Sequence, residues 1–432
     1  MADDAGVAEQ PLDVPLGERR HALDRKAGES GTKVLSLVED RDPREPRLEA
    51  FEREQLEHRV VALLLASPLV VVVGLVQRIV AAPAAARDAR IVDREIVHRP
   101  ILPIGSVRGM FELTVENAPT YLVERGLVPA DAALDLEELP GGVSATVIAV
   151  RSGAGFAVVV KQALPQLRVA DDWLATPDRA ETEVAAMRLC GGITPGIVPQ
   201  ILDSDASAHI LVMKLIPPAA RNWQAEVGEG RAHAERGRWA GSTLGAWHAA
   251  TSGSQAPAGL EDFEAFEQLR LRPFHETVIE RLPELADGIA PLLAELRSDR
   301  RCFVHGDYSM KNMLVGPSGD WVLDFEVAHH GNPVFDLGFF LSFVVLSAIR
   351  WPELQPQLGE LADGFLDGYG EAAGGRFAGS STSVTAHTAA LMLARTDGKS
   401  PALFLDPSSR DRARAAGIAL LRTPEGGLWQ WL

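Results

Sequence analysis

The sequence predicts an α+β fold in which a small lobe of antiparallel strands precedes a larger helical lobe. Two β-branched segments, ATVIAV and FAVVVKQA, flank a glycine-containing turn at 152–155, which is typical of a β-hairpin. Helical patterns dominate after Pro217 and Pro218, which we interpret as the hinge between the lobes. We therefore expect a sheet-bearing lobe over 110–217 and a helical lobe over 218–432.

Each further element has its own pattern in the sequence. Residues 115–125 and 178–190 are spaced as helices, and 208–215 is an apolar strand. The larger lobe has helical patterns at about 233–251, 261–281 and 283–298, then a strand–loop–strand block, then long apolar helices from Val334 onward.

The composition is that of a globular protein without a basic surface. Hydrophobic residues make up 46% and charged residues 23% of the chain, which is enough for a large core. The formal net charge of -17 offers no positive field, so neither nucleic acid nor an anionic membrane surface is expected as a main partner. The two cysteines, Cys190 and Cys302, lie in apolar contexts. We expect buried thiols of a cytoplasmic protein, without a disulfide or zinc framework.

The residues with catalytic potential are concentrated in the stretch FVHGDYSMKNMLVGPSGDWVLDFE. Asp307 lies on a short loop after a strand end, where a carboxylate can accept the proton of a hydroxyl group. Asn312 follows five residues later and Asp324 follows a second apolar strand, so the two can share a divalent ion. Glu326 is expected as a further ligand or as a group that supports the ligands. This order of residues indicates phosphoryl transfer.

The small lobe contains a second set of candidate residues. Lys161 ends an apolar strand and Glu183 lies on the next helix; such a lysine binds the α- and β-phosphates of ATP when a glutamate pairs with it. Gly141, Gly142 and Ser144 precede a strand, where glycines let backbone N–H groups approach phosphates. A solvated lysine and a plain hairpin turn are the alternatives for these two features.

The HGDxxxxN motif, followed by an apolar stretch and DFE, resembles the aminoglycoside phosphotransferase and choline kinase group. Members of that group are small-molecule kinases with a protein-kinase-like fold. The resemblance implies a two-lobed kinase-like architecture, ATP and Mg²⁺ as cofactors, and a small-molecule hydroxyl group as acceptor. It also implies that Asp336, in NPVFDLGFF, braces the catalytic loop through backbone hydrogen bonds, and that His248 is a core histidine.

The segment KQALPQLR, with a tryptophan and TPDRAETE after it, is similar to the small lobe of methylthioribose kinase. The similarity implies that the lysine–glutamate pair positions the nucleotide. It also implies that four residues shape the adjoining loop and helix start: Trp173, Thr176, Asp178 and Arg179. The chain departs from that family at Asn312, where a serine is usual, and at DFE, where DPE is usual. The identity of the acceptor therefore stays open.

Several other polar residues have an ordinary structural explanation. We expect His305 to pack the loop, and His329 and His330 to belong to loop structure or the mouth of the substrate site. We expect solvated or surface charges at Lys311, Arg395 and Lys399. For these three, contact with phosphate or substrate is the alternative.

Residues 1–109 differ in composition from the rest of the chain. They contain only Phe51 of the 8 Trp, 3 Tyr and 15 Phe, and so have little with which to build a core. We expect a poorly structured extension, or sequence upstream of the true start, with the functional enzyme beginning near Met110. The uncharged run 60–76 is slightly short for a bilayer span, and a membrane anchor there is the alternative to a cytoplasmic protein.

The sequence as a whole predicts an ATP-dependent kinase that phosphorylates a hydroxyl group of a small metabolite or antibiotic. The competing hypothesis is a catalytically silent nucleotide-binding module that regulates a partner. It is disfavoured because none of the residues expected to bind nucleotide, hold metal or accept the proton is missing. The oligomeric state stays open.

Overall fold

The computed structural model describes residues 111–429, apart from 141, 154, 170–171, 254 and 376–380. All of them belong to one compact unit, Ile101–Leu432. The extension predicted over 1–109, its uncharged run 60–76 and Gly141 therefore lie outside the described residues.

The secondary structure is mixed, with ten strands and eleven α-helices among the described residues. The strands are β1 (Leu134–Glu138), β2 (Ala145–Ser152), β3 (Ala157–Ala163), β4 (Ile201–Asp205), β5 (Ile210–Lys214), β6 (Arg221–Asn222), β7 (Cys302–Val304), β8 (Met313–Gly316), β9 (Gly319–Val322) and β10 (His329–Gly331). The helices are α1 (Ala118–Glu124), α2 (Arg179–Ile193), α3 (Trp223–Gly228), α4 (Ala234–Ala250), α5 (Glu264–Phe266), α6 (Thr277–Arg281), α7 (Ala286–Ser298), α8 (Val334–Arg350), α9 (Gln355–Ala373), α10 (Ser381–Asp397) and α11 (Pro407–Arg422). A π-helix, Glu267–Glu276, joins α5 to α6.

A five-stranded antiparallel sheet forms the N-terminal part of the described chain, in the order β1-β2-β3-β5-β4. Side chains of β3 alternate between its two faces. Val158 and Val160 pack with α1 in one apolar cluster, whereas Val159 packs with the cluster that contains Val184 of α2. The same alternation places Lys161 on the α2 face of the sheet.

Two helices of the C-terminal part pack unusually closely. Three glycines at every fourth position of α4 face α9: Gly237, Gly241 and Gly245. A Cβ atom added to any of them would collide with a backbone carbonyl oxygen of α9. The close approach places His248, near the end of α4, against Tyr369 of α9, with His248 Nδ1 3.0 Å from the tyrosine hydroxyl.

Two small sheets carry the loops of the catalytic motif. β7 pairs with β10, and β6, β8 and β9 form a three-stranded sheet. The HGD loop follows β7, and the DFE turn follows β9. The backbone N–H of Leu323 donates to the carbonyl oxygen of Asn312 at 2.9 Å, which joins the two loops.

None of the described helices is by itself long and apolar enough to cross a bilayer. The segments Val334–Arg350 and Pro352–Ala373 satisfy length and composition only as a pair, and that pair is bent by 120°.

The α+β fold class predicted from the sequence is confirmed, as are the β2–β3 hairpin and the helix at Arg179–Ile193. The sequence did not predict β1 and β4, because these edge strands, LDLEE and ILDSD, are interrupted by charges. The helical pattern at 261–281 is correct in extent, but its centre is a π-helix that contains Pro273.

Candidate active site

The HGD loop is held by Asp336, which is fully buried in the first turn of α8. Its Oδ2 accepts a hydrogen bond from the backbone N–H of His305 at 2.7 Å, and its Oδ1 accepts one from Gly306 at 2.9 Å. His248 Nε2 lies 3.3 Å from Oδ2. The bracing role predicted for Asp336 is confirmed, and His248 is the buried core histidine that we expected.

The backbone of the HGD loop requires its glycine. Gly306 has φ +77°, and a Cβ atom added there would lie 2.8 Å from the carbonyl oxygen of Val327. His305 is fully buried, and its Nδ1 accepts a hydrogen bond from the backbone N–H of Asp307 at 3.2 Å. Burial lowers the pKa of His305. Its predicted packing role is confirmed.

Asp307 is buried and surrounded by donors. Lys311 Nζ and Asn312 Nδ2 each lie 2.6 Å from Asp307 Oδ2. Arg270 Nη2 lies 3.0 Å from Oδ1, and Arg270 Nε donates to the carbonyl oxygen of Gly306 at 2.8 Å. Burial raises the pKa of Asp307, but Arg270 and Lys311 outweigh burial and hold it below its ordinary value. Asp307 is therefore a carboxylate at neutral pH.

Lys161 joins two carboxylates from different segments. Its Nζ lies 2.8 Å from Glu183 Oε1 and 2.7 Å from Asp324 Oδ1. Burial lowers the pKa of Lys161, but the two carboxylates outweigh burial and raise it above its ordinary value. This buried lysine therefore carries a positive charge that pairs with a carboxylate of α2 and with one of the DFE turn.

The two carboxylates around Lys161 differ in pKa because Asp324 has further cations near it. Burial raises the pKa of Glu183 to about 7, even beside the lysine. For Asp324, burial also raises the pKa, but Lys161 and Lys311 outweigh burial and hold it below its ordinary value. The Asp324 side chain is 29% exposed, against 4% for Glu183. Asp324 is thus the ionised carboxylate that faces solvent.

A cleft of 590 Å³ lies between the sheet and the two loops. Its lining includes most of the candidate residues: Gly142, Ser144, Lys161, Glu183, Asn312 and Asp324. Pro217 and Pro218, the predicted hinge, line it as well. Asp324 has φ +68°, a backbone conformation that few residues other than glycine adopt and that Asp tolerates. The turn after β9 thus has a specialised conformation at the edge of the cleft.

Glu326 is placed differently from Asp324. It is buried, and its Oε2 accepts a hydrogen bond from Arg179 Nε at 3.0 Å. It is not among the described residues that line the cleft. The structure therefore brings the predicted site residues together, except Glu326, which points to a buried arginine, and Gly141, which lies outside the described residues.

Three ordinary structural explanations were wrong. Lys311 is not simply solvated, because it pairs with Asp307. Arg395 is not a surface charge: it is buried, with its guanidinium carbon 5.3 Å from the centre of the Phe343 ring. His329 and His330 form the buried strand β10 rather than a loop or the mouth of a site.

The sequence profile of the phosphotransferase enzyme family matches residues 135–379 of this chain. That match exceeds half of the chain and includes the cleft, the HGD loop and the DFE turn. The chain belongs to the phosphotransferase enzyme family.

The individual relatives of this phosphotransferase are distant. It is 26% identical to methylthioribose kinase 1 of Oryza sativa subsp. japonica over 244 residues, which cover 50% of this chain and 56% of the rice protein. It is 23% identical to the methylthioribose kinase of Geobacillus sp. (strain WCH70) over 273 residues, which cover 57% of this chain and 68% of that protein. A solved choline/ethanolamine kinase family protein from Mesorhizobium loti is 20% identical, with a TM-score of 0.45 over 72% of this chain and 95% of that chain.

Sequence reasoning missed one charged residue of the phosphotransferase site and undervalued another. Arg270 contacts Asp307 from the π-helix, and an arginine in a helical stretch gives no local signal of that contact. The proline within the helical pattern, Pro273, was the available hint, because irregular helices are frequent at functional sites. Arg179 was assigned only to the shape of the adjoining loop and helix start, although it also binds Glu326.

Proposed function

We propose that this phosphotransferase is an ATP- and Mg²⁺-dependent kinase that transfers the γ-phosphate to a hydroxyl group of a small molecule. The observation that carries the proposal is the convergence of five side chains at one cleft: Lys161, Glu183, Asn312 and Asp324 line it, and the buried Asp307 accepts a hydrogen bond from Asn312 at 2.6 Å. They come from β3, α2, the segment between β7 and β8, and the DFE turn. Each has the charge or oxygen donor that phosphoryl transfer needs.

In this proposal the small lobe binds the nucleotide. Lys161 contacts the α- and β-phosphates, and Glu183 fixes the direction of the lysine from 2.8 Å away. The predicted glycine segment consists of Gly141, Gly142 and Ser144. Gly142 and Ser144 line the same cleft, where backbone N–H groups can bind phosphate, and Gly141 lies outside the described residues. Lys161 is buried and paired, so its ammonium group is already oriented before phosphate arrives.

The metal ligands in this proposal are Asn312 and Asp324. Asn312 uses its Nδ2 toward Asp307, so its Oδ1 remains for a cation. Asp324 uses Oδ1 toward Lys161, so Oδ2 remains. Oxygen donors of this kind fit Mg²⁺, which when bound neutralises charge on the β- and γ-phosphates. Glu326 was predicted as a further ligand or as a group that supports the ligands, and its contact with Arg179 favours the second of these.

Asp307 orients the acceptor hydroxyl and receives its proton. Arg270 and Lys311 keep the carboxylate ionised, so it enters the reaction as a base. Asp307 Oδ1 makes no hydrogen bond of good geometry within the described residues, although Arg270 lies near it. This oxygen is buried, and we propose that it receives the proton when a substrate hydroxyl group reaches it.

The acceptor is proposed only as a class: a small molecule with a nucleophilic hydroxyl group. Two relatives are methylthioribose kinases, which makes methylthioribose one acceptor to test. Asn312 and Phe325 stand where the resemblance leads us to expect serine and proline, so other alcohols belong in the same test. The silent regulatory module is not favoured, because the five side chains are both present and assembled. Because the reaction uses ATP, we also propose a cytoplasmic location.

An ATP-consumption screen tests this proposal. The purified full chain is incubated with Mg²⁺ and ATP against methylthioribose, aminoglycosides, macrolides, choline, homoserine and simple sugars. We expect acceptor-dependent release of ADP with one compound class, and its loss in Asp307→Asn. Absence of Mg²⁺-dependent ATP binding by calorimetry would overturn the proposal, whatever the acceptor.

A further inference from the structure

Arg179 connects three segments of the chain through all three nitrogens of its guanidinium group. Its side chain is fully buried at the start of α2. Nε donates to Glu326 Oε2 at 3.0 Å, and Nη1 donates to the carbonyl oxygen of Thr176 at 2.8 Å. Nη2 donates to the carbonyl oxygens of Leu164, at 2.9 Å, and Ser144. The guanidinium is thus fully engaged without contact to solvent.

These partners belong to the parts of the chain that surround the phosphate side of the cleft. Ser144 ends the glycine segment and lines the cleft. Leu164 follows the strand that carries Lys161, and its backbone N–H donates to the carbonyl oxygen of Ser144 at 2.9 Å. Glu326 belongs to the DFE turn. One side chain therefore ties the glycine segment, the end of β3 and the DFE turn together.

Stability alone is a poor explanation for this arrangement. Burying a guanidinium and a carboxylate costs several kcal/mol per ion, and an apolar pair of similar volume often gives an equally stable protein. What an arginine adds is geometry, because its planar fork of donors fixes the directions of all its acceptors at once. The arrangement is therefore better explained by a requirement for fixed loop positions.

We propose that Arg179 is a positioning residue that, through Glu326, holds the glycine segment and the DFE turn in the relative arrangement used for phosphoryl transfer. Glu326 is the anchor of this contact and not a ligand of Mg²⁺. The kinetic part of the inference rests on the proposed function, whereas the contact itself can be tested without substrate.

The charges around the cleft are consistent with this assignment. Lys161 forms ion pairs with Glu183 and Asp324, whereas Arg179 forms an ion pair with Glu326, so the two cations pair with different carboxylates. Without the guanidinium, Glu326 becomes an unpaired buried carboxylate that competes for Lys161. Loss of Arg179 should therefore disturb nucleotide binding through Lys161 as well as through the glycine segment.

The experiment compares Arg179→Met, Glu326→Met and the double variant with the wild-type full chain. The double variant replaces a buried ion pair by two apolar side chains of similar length, so it should fold with a melting temperature close to that of the wild type. Arg179→Lys keeps the charge but not the fork of donors. Arg188→Met is the matched control, because Arg188 lies on the same helix and its hydrogen bond to Ser204 is exposed.

Hydrogen exchange of the ligand-free proteins reports on the contact itself. Glu326→Met changes no residue of the small lobe, yet we expect the amide of Leu164, which donates to Ser144, to exchange at least about 5-fold faster. The double variant should show the same change, and Arg188→Met should not. Wild-type exchange at Leu164 in the double variant would overturn the inference, even if the wild type has no kinase activity.

Kinetics then separates positioning from structure and from metal binding. We expect the double variant to raise KM for ATP or lower kcat by about 10-fold or more at unchanged stability. Its loss of kcat/KM should be no larger than that of the more impaired single variant. Arg179→Lys should recover only part of the loss. If the losses of kcat/KM in the two single variants simply added up in the double variant, this additivity would overturn the inference. So would a rise of about 10-fold in the half-saturating Mg²⁺ concentration for Glu326→Met alone, because that result would make Glu326 a ligand. A wild type without ATP turnover would count against the proposed function instead.

Discussion

Asp336→Asn tests how the catalytic loop is held in place. The substitution keeps the size of the side chain and removes its charge. Asp336 accepts hydrogen bonds from the backbone N–H groups of His305 and Gly306, at 2.7 and 2.9 Å, in a fully buried position. An asparagine can accept from only one of them, because its amide nitrogen must face the other N–H group.

The expected loss of stability follows from these contacts. Hydrogen bonds to a charged acceptor contribute about 1.5–3 kcal/mol each, and a buried donor left without a partner costs about 1–3 kcal/mol. Asp336 also lies in the first turn of α8, where loss of a negative charge costs about 0.3–1 kcal/mol more. Together these effects should lower the free energy of unfolding by about 3–5 kcal/mol. Turnover should fall by about 10²-fold, because a shift of about 1 Å in the loop misplaces Asp307.

Urea unfolding at constant temperature measures the first effect, and turnover under conditions where the variant is fully folded measures the second. Asp367→Asn is the matched control, since the ion pair of Asp367 with Arg238 is exposed, and the substitution should change the free energy of unfolding by less than about 0.5 kcal/mol. If Asp336→Asn lost under about 1 kcal/mol and kept wild-type turnover, the loop would not depend on this carboxylate and the reasoning would be refuted.

Four further substitutions test other parts of the structure. Asp307→Asn should lower kcat by at least about 10²-fold while calorimetry shows ATP affinity retained; unchanged turnover would exclude Asp307 as the base. Asp324→Ala should remove the Mg²⁺-dependent part of ATP binding. If the variant and the wild type bound ATP with equal affinity in the presence of Mg²⁺, Asp324 would not be a ligand. Burial raises the pKa of Glu183 from 4.5 to about 7, so the folded state binds the extra proton between those values. The free energy of unfolding should therefore fall as pH rises through that window, and Glu183→Gln should lose this slope; parallel curves would show that Glu183 does not titrate there. Gly241→Ala should destabilise the α4–α9 contact, whereas Gly359→Ala, with open space around it, should be neutral or slightly stabilising; similar melting temperatures would refute the close packing.

Local sequence was sufficient wherever a residue and its partners lie in one short stretch. Two short paired strands, β8 and β9, separate Asn312 from Asp324, so a single hairpin and the loops at its two ends bring Asp307, Asn312 and Asp324 together. The hairpin of β2 and β3 is equally local, since β-branched strands flank one turn. These features were predictable because the residues involved are close in sequence, so local structure alone brings them together.

Partners distant in sequence were not predictable in this way. Arg270 reaches Asp307 from a π-helix, and Arg179 reaches Glu326 from the start of α2. In sequence each of these arginines resembles any charge on a helix, because nothing nearby indicates burial. The prediction of Arg395 as a surface charge failed for the same reason.

The residue types of the motif were enough to indicate phosphoryl transfer, since carboxylate, amide and lysine side chains have that chemistry wherever they lie. Tertiary structure decided which of these groups face the cleft, which are ionised, and which hold others in place. Asp324 and Glu326 are two residues apart and both acidic, yet one faces solvent beside Lys161 and the other is buried against Arg179. Burial and the position of the nearest cation make that difference, and both depend on how distant segments pack.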